Sequence, residues 1–149
     1  MKIPYVDLSY KNKSKKELIK VFKKVLDKGQ FVGGDEIDLF EKKIAKLCGT
    51  NYAVALNSGT DALTLALHLL GVRKGDEVIT PPNSFIASTA VIVHLGAKPV
   101  FVDVLSDQNI DPNKIQSAIT KKTKVIMPVH LSGRMSQMDK IMSIAKKNK

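Results

Sequence analysis

Val54-Ala55-Leu56-Asn57-Ser58-Gly59-Thr60-Asp61-Ala62-Leu63 joins a short apolar run to a polar turn and then to a second apolar series. Val54, Ala55 and Leu56 read as the end of a buried strand. Ala62, Leu63, Ala66, Leu67 and Leu70 then recur at helical spacing. Ser58, Gly59 and Thr60 between them are residue types that expose backbone N–H groups at a helix start. Gly59 removes a Cβ that would block a ligand, and Thr60 adds a hydroxyl donor. The first turn of a helix carries unpaired N–H groups and a partial positive charge, so it suits a phosphate dianion. Ser58 acting only as a helix cap is the alternative that these few residues leave open.

Outward from this turn the same alternation continues. Glu77–Thr80, Pro99–Val104 and Lys124–Val129 read as strands, and Tyr52–Leu56 precedes them as a fourth. Thr60–Leu70, Ser84–Leu95, a segment opening at Asp111-Pro112, and Gln137–Lys147 read as helices. Strand–helix alternation with Val- and Ile-rich strands predicts an α/β fold: three layers, a mainly parallel sheet and helices on both faces. Ligands of such sheets bind beyond the carboxyl ends of the strands. The loops Asn57–Thr60, Pro81–Phe85 and His130–Gly133 are therefore expected at one edge. Upstream, Leu18, Ile19, Phe22, Val25 and Leu26 form one face of a helix that ends at Gly29. Asp35 is expected to cap a second helix, with Ile37, Phe40, Ile44 and Leu47 on its apolar side. The loop at Gly33-Gly34 sets an expected boundary between segments 1–34 and 35–149.

The chain has 149 residues, 44% of them apolar, without a run long enough to span a bilayer. Met1–Tyr5 lacks the apolar core of a secretory signal. The single Cys48 fits a reducing, cytoplasmic setting and reads as a small core residue. The formal charge is +10, but residues 1–28 alone hold nine Lys against Asp7, Glu17 and Asp27. Arg occurs only at positions 73 and 134, Trp is absent and aromatic residues make up 5% of the chain. A solvated lysine face explains this better than a nucleic-acid surface, which would need stacking platforms as well as charge. His68 and His94 lie within helices without a metal-ligand cluster around them. Asp103 is expected to organise a turn, and Asp76-Glu77 a solvated turn before a strand.

Several motifs, taken in order, resemble the DegT/DnrJ/StrS family of sugar aminotransferases. They are Gly29–Gly34, Phe40-Glu41, Asn57–Leu63, Gly75–Ile79, Phe85–Ser88, Gly96–Val104 and Pro128–Gly133. The resemblance implies the N-terminal part of the large domain of a fold type I enzyme that uses pyridoxal 5′-phosphate (PLP). It further implies amino transfer from glutamate to a keto group on a nucleotide-linked sugar, in amino sugar biosynthesis, by a cytoplasmic homodimer. Under it, Gly59 and Thr60 hold the cofactor phosphate, Ser58 leads into that turn, and Phe85 stacks on the pyridine ring. Residues 35–149 are then an incomplete PLP-binding domain. His130 either touches cofactor or substrate or supports the site from behind. The Phe31–Gly34 loop either approaches the sugar nucleotide or is a simple connection. Ser132 stands where family members often carry an aromatic.

The resemblance places the lysine that holds PLP, and the carboxylate that keeps its pyridine nitrogen protonated, beyond residue 149. No lysine here matches such a motif, so no catalytic residue is assigned, and the 149-residue chain alone is expected to be inactive. A PLP-dependent sugar dehydratase of the same superfamily, and a non-catalytic or partner-binding fragment, remain as alternatives. No specific nucleic-acid partner, metal or membrane partner is expected.

Overall fold

A computed structural model describes residues 12–148; Met1–Tyr5 and Asp7 lie outside the described residues. The chain divides between Ala55 and Leu56 into two compact units. This division follows the second helix, whereas the Gly33-Gly34 loop lies between two helices of the first unit.

The first unit holds α1 (Asn12–Lys28) and α2 (Asp35–Cys48). Gly34, not Asp35, is the N-cap of α2. Its φ of 106° lies in the region open to glycine, and a Cβ there would sit 2.9 Å from Gln30 Cδ. Asp35, Glu36 and Asp38 instead occupy the first turn, where the helix dipole favours negative charge. Lys24 and Lys28 donate to Glu36 Oε1 at 3.1 and 3.0 Å, linking the end of α1 to the start of α2. The expected strand Tyr52–Leu56 does not form. A strand requires a hydrogen-bonded neighbour, and instead the Ala55 amide donates to Glu41 Oε1 at 2.7 Å. Cys48 is exposed rather than buried, because it ends a helix whose only buried residue is Ala45.

The second unit contains α3 (Gly59–Leu69), β1 (Glu77–Thr80), α4 (Ala87–His94), β2 (Lys98–Phe101), α5 (Pro112–Ala118), β3 (Thr123–Ile126) and α6 (Met138–Lys147). The sheet order is β2-β1-β3 and both pairings are parallel. Successive side chains of a strand face opposite sides. Val78 accordingly packs with Leu67, Val72, Val91 and Ile92, on the side of α3 and α4. Ile79 packs with Val102, Ile110, Ile115 and Ile141, on the side of α5 and α6. This is the expected three-layer α/β arrangement. Asp111 caps α5 by accepting the Asn113 amide at 2.9 Å, with Pro112 at the first helical position.

Glu77 departs from the solvated turn expected of it: it opens β1 and is buried. The Thr120 hydroxyl at 2.6 Å, with Lys98 at 3.6 Å, holds its carboxyl below the usual range. Asp76 alone makes the turn, accepting the Arg73 amide at 2.8 Å.

Glu36 supplies a pH signature. Hydrogen bonds from Lys28, then Lys24, lower its pKa to about 2 from 4.5. Because the folded value is depressed, its stabilising contribution is complete above about 4.5 and fades as pH falls toward 2. Amide exchange at the α1–α2 junction is expected to rise across that window, with Glu36→Gln removing the transition. Molar salt should shrink it, since exposed pairs are screened.

Candidate functional site

The start of α3 is built by Ser58. Its backbone is extended, and its Oγ accepts the Asp61 amide at 3.1 Å while donating to Asp61 Oδ2 at 2.8 Å. The Ser58 carbonyl takes the Ala62 amide at 3.1 Å. One of the four orphan donors of the helix, the Asp61 amide, is thereby satisfied, and the Ala62 bond is the first of the helix itself. Among the described residues, the Gly59 and Thr60 amides and the Thr60 hydroxyl donate to no other group. Capping and anion binding therefore fall to different residues of the turn.

Those free donors open on a groove of about 680 Å³.

 The groove is lined by Gly59, Thr60, Ala62, Leu63 and Ala66 from α3 and by Phe85, Ala87 and Ser88 from the start of α4. It is apolar along its length and polar at the α3 end. Phe85 is 76% exposed, so its ring meets the groove rather than the core. Three of the four candidate residues, Gly59, Thr60 and Phe85, thus border one space. Ser58 does not line it, since its hydroxyl is committed to the cap.

Gly59 is distinct among the nine glycines. The other eight have positive φ, where a side chain is strained. Gly59 does not, and a Cβ built on it would meet nothing within 4 Å. Neither backbone conformation nor packing within the described chain calls for glycine there. Its absence of a side chain leaves the first-turn amides open to an approaching group.

The parallel sheet sends the loops after β1 and β3 to one edge, as expected. Asn109, which no local pattern singles out, ties down the loop after β3. It is 1% exposed; its Oδ1 accepts the Leu131 amide at 3.2 Å and its Nδ2 donates to the Arg134 carbonyl at 3.3 Å. Nearby, Asn83 Nδ2 donates to the Gln108 carbonyl at 3.0 Å. Gln108 and Ser132 adopt positive φ, 68° and 52°, at a cost of about 1–2 kcal/mol each that these contacts offset. The Asp107-Gln108-Asn109 triplet signals a turn, but the partners of Asn109 lie too far along the chain for local spacing to indicate them. His130 is exposed and its Nδ1 accepts the Ser136 amide at 3.1 Å, which fits a supporting role for that nitrogen. Asp103 organises its turn as expected: it accepts the Val104 amide at 2.9 Å, and Lys114, also at 2.9 Å, holds its carboxyl below the usual range. Among the described residues no group of His, Cys, Asp and Glu could hold a metal, and no helix is long and apolar enough to cross a membrane.

Residues 12–149 match the model of the DegT/DnrJ/EryC1/StrS aminotransferase family. The chain belongs to this family. It is 44% identical over 147 residues to the dTDP-3-amino-3,6-dideoxy-alpha-D-galactopyranose transaminase of Aneurinibacillus thermoaerophilus, covering 97% of this chain and 40% of that protein. It is 39% identical over 147 residues to the UDP-2-acetamido-2-deoxy-3-oxo-D-glucuronate aminotransferase of Pseudomonas aeruginosa, covering 97% of this chain and 41% of that one. Among solved structures, NtdA from Bacillus subtilis with bound cofactor PMP superposes with a TM-score of 0.94 at 37% identity, over 99% of this chain and 34% of that one. This DegT/DnrJ/EryC1/StrS family chain thus spans about 40% of the length of these curated relatives.

Replacing the buried Asn109 with Ala removes the partner of the Leu131 amide and of the Arg134 carbonyl. A loss of about 1–3 kcal/mol in urea unfolding is expected, with faster amide exchange at residues 131–134 and none at α3.

Proposed function

We propose that the groove between α3 and the start of α4 is the phosphate- and ring-binding face of a PLP-dependent aminotransferase. The whole protein would act on a keto group of a nucleotide-linked sugar. The observation that carries this reading is Gly59. Glycine costs about 1 kcal/mol relative to alanine in a helix interior, and a smaller part of that at the first helical position, which Gly59 holds. Here it has neither a positive φ nor a packing neighbour to account for it. A ligand drawn close to the backbone accounts for it.

The donor set fits a phosphate dianion: two backbone amides, a hydroxyl and the positive end of α3 at one end of the groove. The apolar walls and Phe85 fit a flat aromatic ring beside it. When bound, PLP supplies the electron sink that amino-group transfer needs. Thr60 and Gly59 would hold its phosphate, Phe85 would fix the plane of its ring and restrict water, and Ser58 would keep the turn in shape through Asp61. None of the groove-lining residues is a lysine, so this segment contributes binding and orientation rather than a covalent contact. Glutamate as amino donor, a homodimeric assembly and a cytoplasmic location complete the reading, the last in keeping with a single cysteine.

Gly59→Ala separates this role from a structural one. Urea unfolding is expected to show stability unchanged or raised by up to about 1 kcal/mol, because alanine is the better helix former. Affinities for PLP and for inorganic phosphate should fall by roughly tenfold, the weight of one charge-assisted hydrogen bond. Pyridoxal, which lacks the phosphate, should bind both proteins alike. Equal PLP affinity in the two proteins by equilibrium dialysis would overturn the assignment.

A further inference from the structure

We propose that Ser88, through Ser84, is a positioning residue that aims the Phe85 ring into the groove; the proposal rests on the cofactor reading above. Phe85 is exposed, so its own chain gives the ring little packing to hold it. Its direction must then come from the backbone that carries it. That backbone is closed into a tight turn. Ser84 Oγ and Ser88 Oγ lie 2.8 Å apart and share a hydrogen bond that spans Phe85, while the Ser88 amide donates to the Phe85 carbonyl at 3.0 Å. Ser88 is 7% exposed and borders the groove, whereas Ser84 does not. On the other side of the turn, Asn83 is held by the Gln108 carbonyl. The segment from Asn83 to Ser88 is thus fixed at both ends around one exposed aromatic residue. An aromatic wall fixed before binding spares the ordering cost that a free rotor would add.

The test compares Ser84→Ala, Ser88→Ala and the double variant of the 149-residue chain, titrated with pyridoxal, PLP and inorganic phosphate. Each single variant is expected to weaken pyridoxal and PLP about fivefold, the weight of one hydrogen bond, and to leave inorganic phosphate unchanged. The double variant should lose no more than either single one, because both remove the same bond. Without ligand, amide exchange at Ser88 should quicken in the variants, a readout that does not depend on the cofactor. Loss confined to Ser88→Ala would mean direct contact with the ligand and would overturn the positioning role. So would a parallel loss of phosphate affinity, or unchanged exchange at Ser88. If the unsubstituted chain binds neither PLP nor phosphate, the cofactor reading itself fails and this inference falls with it.

Discussion

The β1 backbone is hydrogen-bonded to a parallel strand on each side, and its Val78 and Ile79 side chains are fully buried on opposite faces. Fully burying each such side chain is worth about 1.5–3 kcal/mol, and here consecutive residues serve two separate cores. One core sets α3 and α4 against the sheet, and the other sets α5 and α6. The groove is a consequence of the first of these. Leu67 on α3 and Val91 and Ile92 on α4 share the packing around Val78, which brings the start of α3 beside the turn before α4.

Within that frame, polar contacts divide the work of the site. Ser58 and Asp61 satisfy each other, leaving the Gly59 and Thr60 donors available. Asn109 and Asn83 secure the loops at the carboxyl edge of the sheet, where two non-glycine residues adopt strained backbone conformations. Such hydrogen bonds stabilise modestly, but leaving the buried Asn109 amide unpaired would be costly, which makes the loop geometry specific.

The first unit follows different physics. Its two helices are joined by ion pairs between exposed side chains, and apolar residues such as Phe22 and Phe40 stay exposed. The extended segment expected there finds no partner strand among the described residues. Alternation of apolar residues describes what a strand would look like, while its formation needs a neighbour supplied by the rest of the fold.

Local pattern was enough to determine the order of the elements from α3 onward, the parallel α/β class, the Asp111-Pro112 helix start and the turn at Ser58–Thr60. Each depends on residues close in sequence, through helical spacing, capping or strand composition. The family motifs added Gly59, Thr60 and Phe85 as candidates by resemblance. Only the tertiary structure decided that these three border one groove, that Ser58 is spent on capping, that Glu77 is buried and Cys48 exposed, and that Asn109 ties distant loops together. Burial and long-range hydrogen bonds depend on which elements meet, and a periodicity carries no record of its partners.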